Sequence, residues 1–222
     1  MKSLRSQIIL GLFLLIGAFL PARAAEPRVV IVFGDSITAG SMLPNEDKPK
    51  LWVHLVEAQS GGQLQMINEG KGGRPTNSVK EFQDMLPKHP HADLLVLALG
   101  TNDSRDISDQ CVPKAVANLR AMIGLARGTY GKDLAVLIVG PTNIRKDALG
   151  PTKPIADQRD AKLRELGAAY VELAKEVQGE FFSLYGVVPE ASLAKDGVHP
   201  DAAGNEAIAQ AMLPKLMSGL KP

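Results

Sequence analysis

Residues 29–36 read Val-Val-Ile-Val-Phe-Gly-Asp-Ser, an unbroken apolar run that stops at a glycine and two polar residues. A run rich in β-branched residues, with no polar alternation, predicts a strand that is buried on both faces. Such strands belong to parallel sheets that carry helices on each side. This stretch therefore predicts the first strand of an α/β fold, with Ser36 placed just beyond its carboxyl end.

The rest of the chain alternates short apolar runs with longer amphipathic stretches. We expect four further strands, at residues 64–68, 93–99, 134–139 and 180–184, and five helices, at residues 51–59, 77–86, 112–127 (with Gly128 as a stop signal), 157–177 and 202–217. Strands separated by helices indicate a parallel sheet with right-handed crossovers. The pattern predicts a three-layer α/β/α sandwich, with a flavodoxin-like parallel sheet of about five strands in one domain over residues 25–222.

The N-terminus has the pattern of a targeting segment. Lys2 and Arg5 precede an apolar run at residues 8–20, and Ala-Arg-Ala at residues 22–24 offers a signal-peptidase site. A transmembrane anchor is the alternative, but this run is shorter than the ~20 residues that cross a bilayer. The segment predicts a signal peptide over residues 1–24, export to the periplasm or beyond the cell, and no stable membrane span after cleavage. No cysteine follows the run, so a lipid anchor is not expected.

Composition excludes some classes of protein. The chain has 222 residues, of which 45% are hydrophobic and 22% charged, and its formal net charge is +1. This is typical of a globular domain and provides no basic face for nucleic acid. Cys111 is the only cysteine, so an internal disulfide is impossible and a packed or partly exposed thiol is expected.

Two histidines close together in the sequence are candidate metal ligands. His89 and His91 have an H-x-H spacing near Asp93, but no third ligand motif accompanies them. His54 lies in a predicted helix and is expected to be a core or surface residue. We expect no metal and no cofactor.

Polar clusters follow the first three predicted strands, at residues 34–36, 68–76 and 100–103. In an open parallel sheet the site lies beyond the carboxyl ends of the strands, so these clusters should converge. Asp196 and His199 are three residues apart, and such a pair can face each other across one turn. The histidine could then accept a proton from Ser36.

Each of these clusters also has a structural interpretation. Ser36 suits a helix cap, and Asp196 and His199 could be a capping residue and a surface residue. The amide of Asn102 can stabilise an oxyanion, but Asn-Asp also forms ordinary turns. The glycines at residues 70–73 allow close approach of backbone to a ligand, or simply form a flexible loop.

Together, the four pieces resemble the SGNH hydrolases, also called the GDSL lipase/esterase superfamily. They are Gly-Asp-Ser at Ser36, a glycine block after Asn68, Gly-x-Asn-Asp at Asn102, and Asp-x-x-His-Pro from Asp196 to Pro200, all in the family's order. The resemblance implies that Ser36 is the nucleophile, His199 its base and Asp196 the acid that orients the base. It also implies an oxyanion hole formed by the N–H groups of Ser36 and Gly73 and the Asn102 side chain.

Two positions depart from the family pattern. Ile37 replaces the leucine of Gly-Asp-Ser-Leu, a conservative apolar change. Extra glycines in the second block leave Gly70 as an alternative to Gly73. We prefer Gly73, because its place before Arg74 looks like that in the carbohydrate acetylesterase and arylesterase members.

The resemblance implies a serine hydrolase that acts on ester bonds through an acyl-enzyme. The short chain leaves little sequence for a lid or a deep acyl tunnel, so we expect acetyl or short-chain esters, with a small-molecule or polysaccharide ester as substrate. The alternative within the superfamily is a lysophospholipase or acyl thioesterase. A non-catalytic carbohydrate-binding module on the same fold is the alternative from another class. The oligomeric state remains open.

Overall fold

A five-stranded parallel sheet organises the chain. The structure, a computed structural model, describes residues 26–218, and the predicted signal peptide lies outside them. The strands are β1 (Arg28–Gly34), β2 (Leu64–Gly70), β3 (Leu94–Ala98), β4 (Ala135–Gly140) and β5 (Glu180–Ser183). Their order across the sheet is β2-β1-β3-β4-β5, and every neighbouring pair is parallel. This confirms the predicted flavodoxin-like sheet.

Helices cover both faces of the sheet. They are α1 (Ser36–Ala39), α2 (Trp52–Gln59), α3 (Val79–Met85), α4 (Cys111–Tyr130), α5 (Ala156–Glu176) and α6 (Ala202–Met217). Side chains alternate along a strand, so β1 sends Ile31 and Phe33 into the core beneath α3, α4 and α5. Its residues Val30 and Val32 enter the opposite core, beneath α2 and α6. The predicted three-layer sandwich is confirmed.

Several predicted helix ends differ from the observed ones by one to three residues, and two of these differences have a clear cause. The α3 helix ends at Met85, and Leu86–Lys88 forms a 3₁₀ turn, because Pro87 has no N–H to continue the α-helical ladder. The α4 helix runs past Gly128 and ends at Tyr130, and the next residue, Gly131, turns the chain out of the helix with a positive φ of 110°. A glycine within a long helix is tolerated, so Gly128 was a weak stop signal.

The segment between β4 and α5 holds two 3₁₀ helices, Lys146–Ala148 and Gly150–Ile155. Its first part contacts Gly197, in the loop before α6. Across residues 26–218, no helix combines the length and apolar character that a bilayer span requires.

Candidate active site

Ser36 lies where β1 turns sharply into α1. The turn is tight, because a Cβ on Gly34 would come within 2.1 Å of the Thr38 hydroxyl oxygen. The Asp35 carboxylate caps α1 by accepting the N–H of Ile37 at 2.9 Å. The Ser36 side chain is therefore held at the carboxyl end of the central strand, with only 6% of the residue exposed.

The structure brings Ser36 and His199 together from opposite ends of the chain. The His199 Nε2 lies 2.8 Å from the Ser36 Oγ, and its Nδ1 lies 2.5 Å from an oxygen of Asp196. Because a carboxylate only accepts, the Nδ1 carries a proton and donates it to Asp196. The Nε2 is then free to accept the hydroxyl proton of Ser36, which is the geometry of general-base activation.

The Asp196 carboxylate is held in its charged form. Its other oxygen accepts the N–H groups of Val198 at 2.9 Å and of His199 at 3.1 Å. Partial burial opposes ionisation, but these hydrogen bonds and the His199 side chain outweigh it and lower the pKa of Asp196 below its usual 3.8. An ionised carboxylate stabilises the imidazolium that forms when a histidine takes a proton.

Arg145 stabilises the loop that carries Asp196 and His199 through hydrogen bonds to its main chain. Its main-chain N–H donates to the Gly197 carbonyl at 2.7 Å. Its guanidinium donates to three further carbonyls of the same segment, those of Glu190, Leu193 and Ala194. Sequence reasoning missed Arg145, because it lies in a segment that shows no periodicity.

The Asn102 side chain faces the loop that follows β2. Its amide nitrogen donates to the Arg74 carbonyl at 3.1 Å. A carbonyl only accepts, so this bond fixes which end of the amide is the nitrogen. One of the two N–H bonds of that nitrogen remains available for a ligand.

The two candidate glycines have different environments. The N–H of Gly70 donates to the Asn68 side chain at 2.9 Å, and a Cβ on Gly70 would lie 2.4 Å from the Ala39 nitrogen. Gly70 is thus a packing residue whose donor is already used. Gly73 has a φ of +73°, and its N–H donates to no atom of residues 26–218.

A buried arginine fixes the loop around Gly73. The Arg74 guanidinium donates to the Gly34 carbonyl at 2.7 Å and to Glu81 at 2.8 Å, and it also contacts the Glu69 carbonyl. It lies 3.9 Å from the centre of the Phe33 ring, within the range of a cation–π contact. These contacts tie the loop to the strand end that bears Ser36.

Two other buried charges support the site. Burial raises the pKa of Asp35 to about 6, although the N–H of Ile37 and the Thr101 hydroxyl both donate to it. Burial lowers the pKa of Arg159 to about 10, and its guanidinium donates to the Ser104 hydroxyl at 3.1 Å. Asp35 thereby links the turn at Ser36 to the loop that bears Asn102, and Arg159 supports that loop from behind.

A sequence signal for Arg159 existed. The buried face of α5 carries apolar residues at helical spacing, including Leu163, Leu166 and Tyr170. Arg159 lies one turn before Leu163 on this face and is 1% exposed. A charge in an apolar helical stripe indicates a buried polar contact, so this residue was recognisable.

The remaining histidines pair with different groups. His89 contacts Glu69 at 2.7 Å, His91 contacts Asp93 at 3.0 Å, and the His54 ring contacts the Lys48 carbonyl. In the part of the chain that the structure describes, no three histidine, cysteine or acidic residues form a metal-binding group.

The structure bears out the expectation for Cys111. This residue is buried at the start of α4, and its thiol donates to the Asp103 carbonyl at 3.3 Å. Burial raises the pKa of the thiol to about 11, which keeps it protonated and unreactive at neutral pH. Of the two environments expected for this thiol, packed or partly exposed, the structure shows the packed one.

The parallel sandwich and the chain of hydrogen bonds from Asp196 through His199 to Ser36 define the class of protein, a serine hydrolase. Residues 32–207 match the model of the GDSL-like Lipase/Acylhydrolase family, and the chain belongs to this family. The match confirms the predicted superfamily and the predicted enzyme class, a hydrolase of ester bonds.

Solved structures share the fold along most of the chain. A putative arylesterase from Agrobacterium tumefaciens str. C58 is 26% identical, with a TM-score of 0.71, and the match covers 87% of this chain and 100% of that one. The carbohydrate acetylesterase Est24 from Sinorhizobium meliloti is 23% identical over the same shares, with a TM-score of 0.73. The aryl esterase of M. smegmatis is 24% identical over the same shares, with a TM-score of 0.72.

A sequence relative matches over a shorter stretch. The uncharacterized lipoprotein YqeF of Bacillus subtilis (strain 168) is 36% identical over 106 residues, which is 46% of this chain and 42% of that protein. The match therefore spans less than half the length of this relative.

Proposed function

We propose that the protein is an exported serine esterase that hydrolyses acetyl or other short-chain esters of carbohydrates through an acyl-enzyme on Ser36. The observation that carries the proposal is the Asp196–His199–Ser36 hydrogen-bond chain, with distances of 2.5 and 2.8 Å. Residues that lie 163 positions apart in the sequence meet there at the carboxyl ends of the strands.

The reaction has two acyl-transfer steps. His199 takes the hydroxyl proton as Ser36 attacks the ester carbonyl, and a tetrahedral intermediate forms. His199 then gives the proton to the departing alcohol, leaving the acyl group on Ser36. Water, deprotonated by the same histidine, attacks this acyl-enzyme and releases the carboxylic acid and free Ser36.

Three donors stabilise the oxyanion in this proposal, namely the N–H groups of Ser36 and Gly73 and the amide of Asn102. The support is that the Gly73 N–H has no acceptor among residues 26–218, whereas that of Gly70 is bonded to Asn68. The bond from Asn102 to the Arg74 carbonyl orients the amide and leaves one N–H for the intermediate. Preorganised donors of this kind lower the barrier without reorganisation during the reaction.

The proposed substrate class rests on the structurally similar proteins. The similar structures include a carbohydrate acetylesterase and arylesterases, which favours a short acyl group. A series of 4-nitrophenyl esters from acetyl to dodecanoyl tests this, with the highest kcat/KM expected for acetyl. Best turnover at eight carbons or more would instead support the lysophospholipase or thioesterase alternative.

A fluorophosphonate probe tests the nucleophile. Such a probe should label the wild-type protein and leave the Ser36→Ala variant unlabelled, because only an activated serine reacts with it. The His199→Ala variant should label far more slowly. The matched control is Ser41→Ala, which removes an exposed serine hydroxyl from the same turn region and should leave labelling intact. Failure to label correctly folded wild-type protein would favour the non-catalytic carbohydrate-binding module.

Export is also part of the proposal. Residues 1–24 carry the pattern of a cleaved signal peptide, and the similar protein of Bacillus subtilis is named a lipoprotein. N-terminal sequencing of the exported protein should find a chain that starts at Ala25 or one residue later. Finding Met1 on exported, membrane-free protein would contradict it.

A further inference from the structure

A cavity of ≈ 470 Å³ lies beside Asn102. One wall is the segment Pro75–Asn77 after β2, and the other is the exposed face of the first turns of α4, which bears Lys114 and Asn118. Its volume lies within the ~300–1,000 Å³ typical of small-molecule sites. Apart from Asn102, no residue that lines this cavity takes part in the two-step reaction proposed above.

Hydrogen bonds fix the floor of the cavity. The Asp103 carboxylate accepts the N–H of Thr76 at 3.0 Å and its hydroxyl at 2.5 Å. The Asn118 amide donates to the same hydroxyl oxygen at 3.3 Å. These bonds join the loop after β2, the loop after β3 and α4, so the cavity is a built feature next to Asn102.

Several polar groups in the wall have no partner in the protein. The side chain of Asn77 and the ammonium of Lys114 form no hydrogen bond or ion pair with any atom of residues 26–218, and both residues are exposed. The amide oxygen of Asn118 is also uncommitted, because its nitrogen makes the bond to Thr76. Free amide and ammonium groups around one cavity can donate to and accept from hydroxyl groups.

The charges of the cavity select against two kinds of ligand. Asp106 and Lys114 both line it and attract each other, and the Asp103 carboxylate adds a further acidic group. A phosphate headgroup would meet no excess of positive charge there. A long acyl chain would desolvate Asn77, Asp106 and Lys114 without replacing their hydrogen bonds to water, which is costly.

We propose that this cavity is a subsite for the sugar part of the ester, a neutral ring rich in hydroxyl groups that is held beside Asn102 while the ester reacts. The inference rests on the proposed function, because it places the subsite next to an oxyanion donor. It adds that the sugar is recognised by Asn77, Lys114 and Asn118.

The test compares an acetyl ester that carries a sugar with one that carries none. The kcat/KM for acetylated xylo-oligosaccharide is divided by that for 4-nitrophenyl acetate, in wild type and in Ala117→Phe, which adds a ring to the cavity wall from an exposed position. We expect the ratio to fall about tenfold or more in Ala117→Phe. The reason is that losing hydrogen bonds to the sugar lowers kcat/KM for the oligosaccharide ester but not for 4-nitrophenyl acetate. Asn77→Leu and Lys114→Met should lower it in the same direction. The matched control is Ala121→Phe, an exposed alanine of α4 outside the cavity wall, which should leave the ratio unchanged.

A binding measurement separates this inference from the esterase proposal. Saturation-transfer NMR with xylobiose on the inactive Ser36→Ala protein should show contact, and the added Ala117→Phe change should abolish it. An unchanged ratio together with no transfer to xylobiose overturns the subsite and leaves the esterase standing. Xylobiose contact without hydrolysis of any ester supports the subsite while overturning the esterase.

Discussion

The N–H of Arg145 donates to the carbonyl of Gly197 at 2.7 Å, and the Arg145 carbonyl packs against the Gly197 α-carbon. A Cβ at position 197 would lie 2.5 Å from that carbonyl oxygen and 3.0 Å from the Ala148 side chain. Gly197 also has a φ of +70°, which side-chain-bearing residues rarely adopt. The segment before α5 and the loop between Asp196 and His199 therefore fit together only through a glycine.

Gly197→Ala should destabilise the protein and slow the reaction. The left-handed backbone and the clash with Arg145 together should lower the free energy of unfolding by about 2–4 kcal/mol. Displacement of His199 should lower kcat for 4-nitrophenyl acetate more than it raises KM. Urea unfolding and steady-state kinetics on the same preparation measure both.

Gly186→Ala is the matched control for this substitution. Gly186 has a φ of +83°, but a Cβ there meets no atom within 4 Å. Only the backbone strain should remain, about 1–2 kcal/mol, with kcat close to wild type. Equal losses of stability in the two variants would show that the contact with Arg145 is unimportant.

We propose Asn102 as an oxyanion donor, and on that proposal Asn102→Ala should lower kcat about 10²–10³-fold. KM for a small ester should change little, since the amide acts on the intermediate rather than on the ground state. Stopped assays with 4-nitrophenyl acetate measure both constants. An undiminished kcat would remove Asn102 from the mechanism.

Asp35 should make the protein less stable as the pH rises. Burial raises the pKa of its carboxyl from the usual 3.8 to about 6, so the folded state holds this proton more tightly than the unfolded state does. The stability contribution is full below pH 3.8 and is lost as the pH rises through 6. The total loss is of the order of 3 kcal/mol, since one pKa unit is worth about 1.4 kcal/mol.

Asp35→Asn should remove this dependence while keeping an oxygen to accept the N–H of Ile37. Urea unfolding of both proteins at pH 4.5 and pH 7 provides the comparison. The loss of stability between these pH values should be smaller in the variant by about 2 kcal/mol. Burial also raises the pKa of Asp103, so a residual loss of the same sign is expected to remain. An equal loss of stability between pH 4.5 and pH 7 in both proteins would contradict the raised pKa of Asp35.

Hydrophobic periodicity and the order of the motifs were sufficient to predict the parallel sheet and the family. The central strands β1, β3 and β4 are short apolar runs that are buried on both faces, so they show no polar alternation, whereas the edge strands β2 and β5 are partly exposed. Helix ends were less predictable. Glycine and proline usually end helices. However, Gly128 lies within the long, packed helix α4, and Pro87 lies in a 3₁₀ turn that follows α3.

The supporting residues of the site were not predictable in the same way. Arg145 and Arg74 act through contacts with main-chain groups that lie far away in sequence, and main-chain groups leave no pattern of residue types. Asp35 acts through its local bond to Ile37 and through the distant Thr101 hydroxyl. A charged side chain in a loop is normally solvated, so nothing local distinguishes Arg145 from an exposed arginine. Such roles depend on how the loops pack after the sheet has formed.

Arg74→Met should loosen the loop that carries Gly73. The Arg74 side chain is 4% exposed and donates to the Gly34 carbonyl and to Glu81, so its removal takes one hydrogen bond from each of these acceptors. We expect a loss of about 2–4 kcal/mol in the free energy of unfolding, and a lower kcat because the Arg74 carbonyl orients Asn102.

The matched control is Lys71→Met. Lys71 contacts the same Glu81 oxygen but is 62% exposed, so its replacement should cost less than about 1 kcal/mol. Urea unfolding and kcat for 4-nitrophenyl acetate are measured for both variants. If Arg74→Met costs no more than Lys71→Met and keeps full kcat, the loop is held by its backbone bonds alone, such as that from the Lys71 N–H to Gly34.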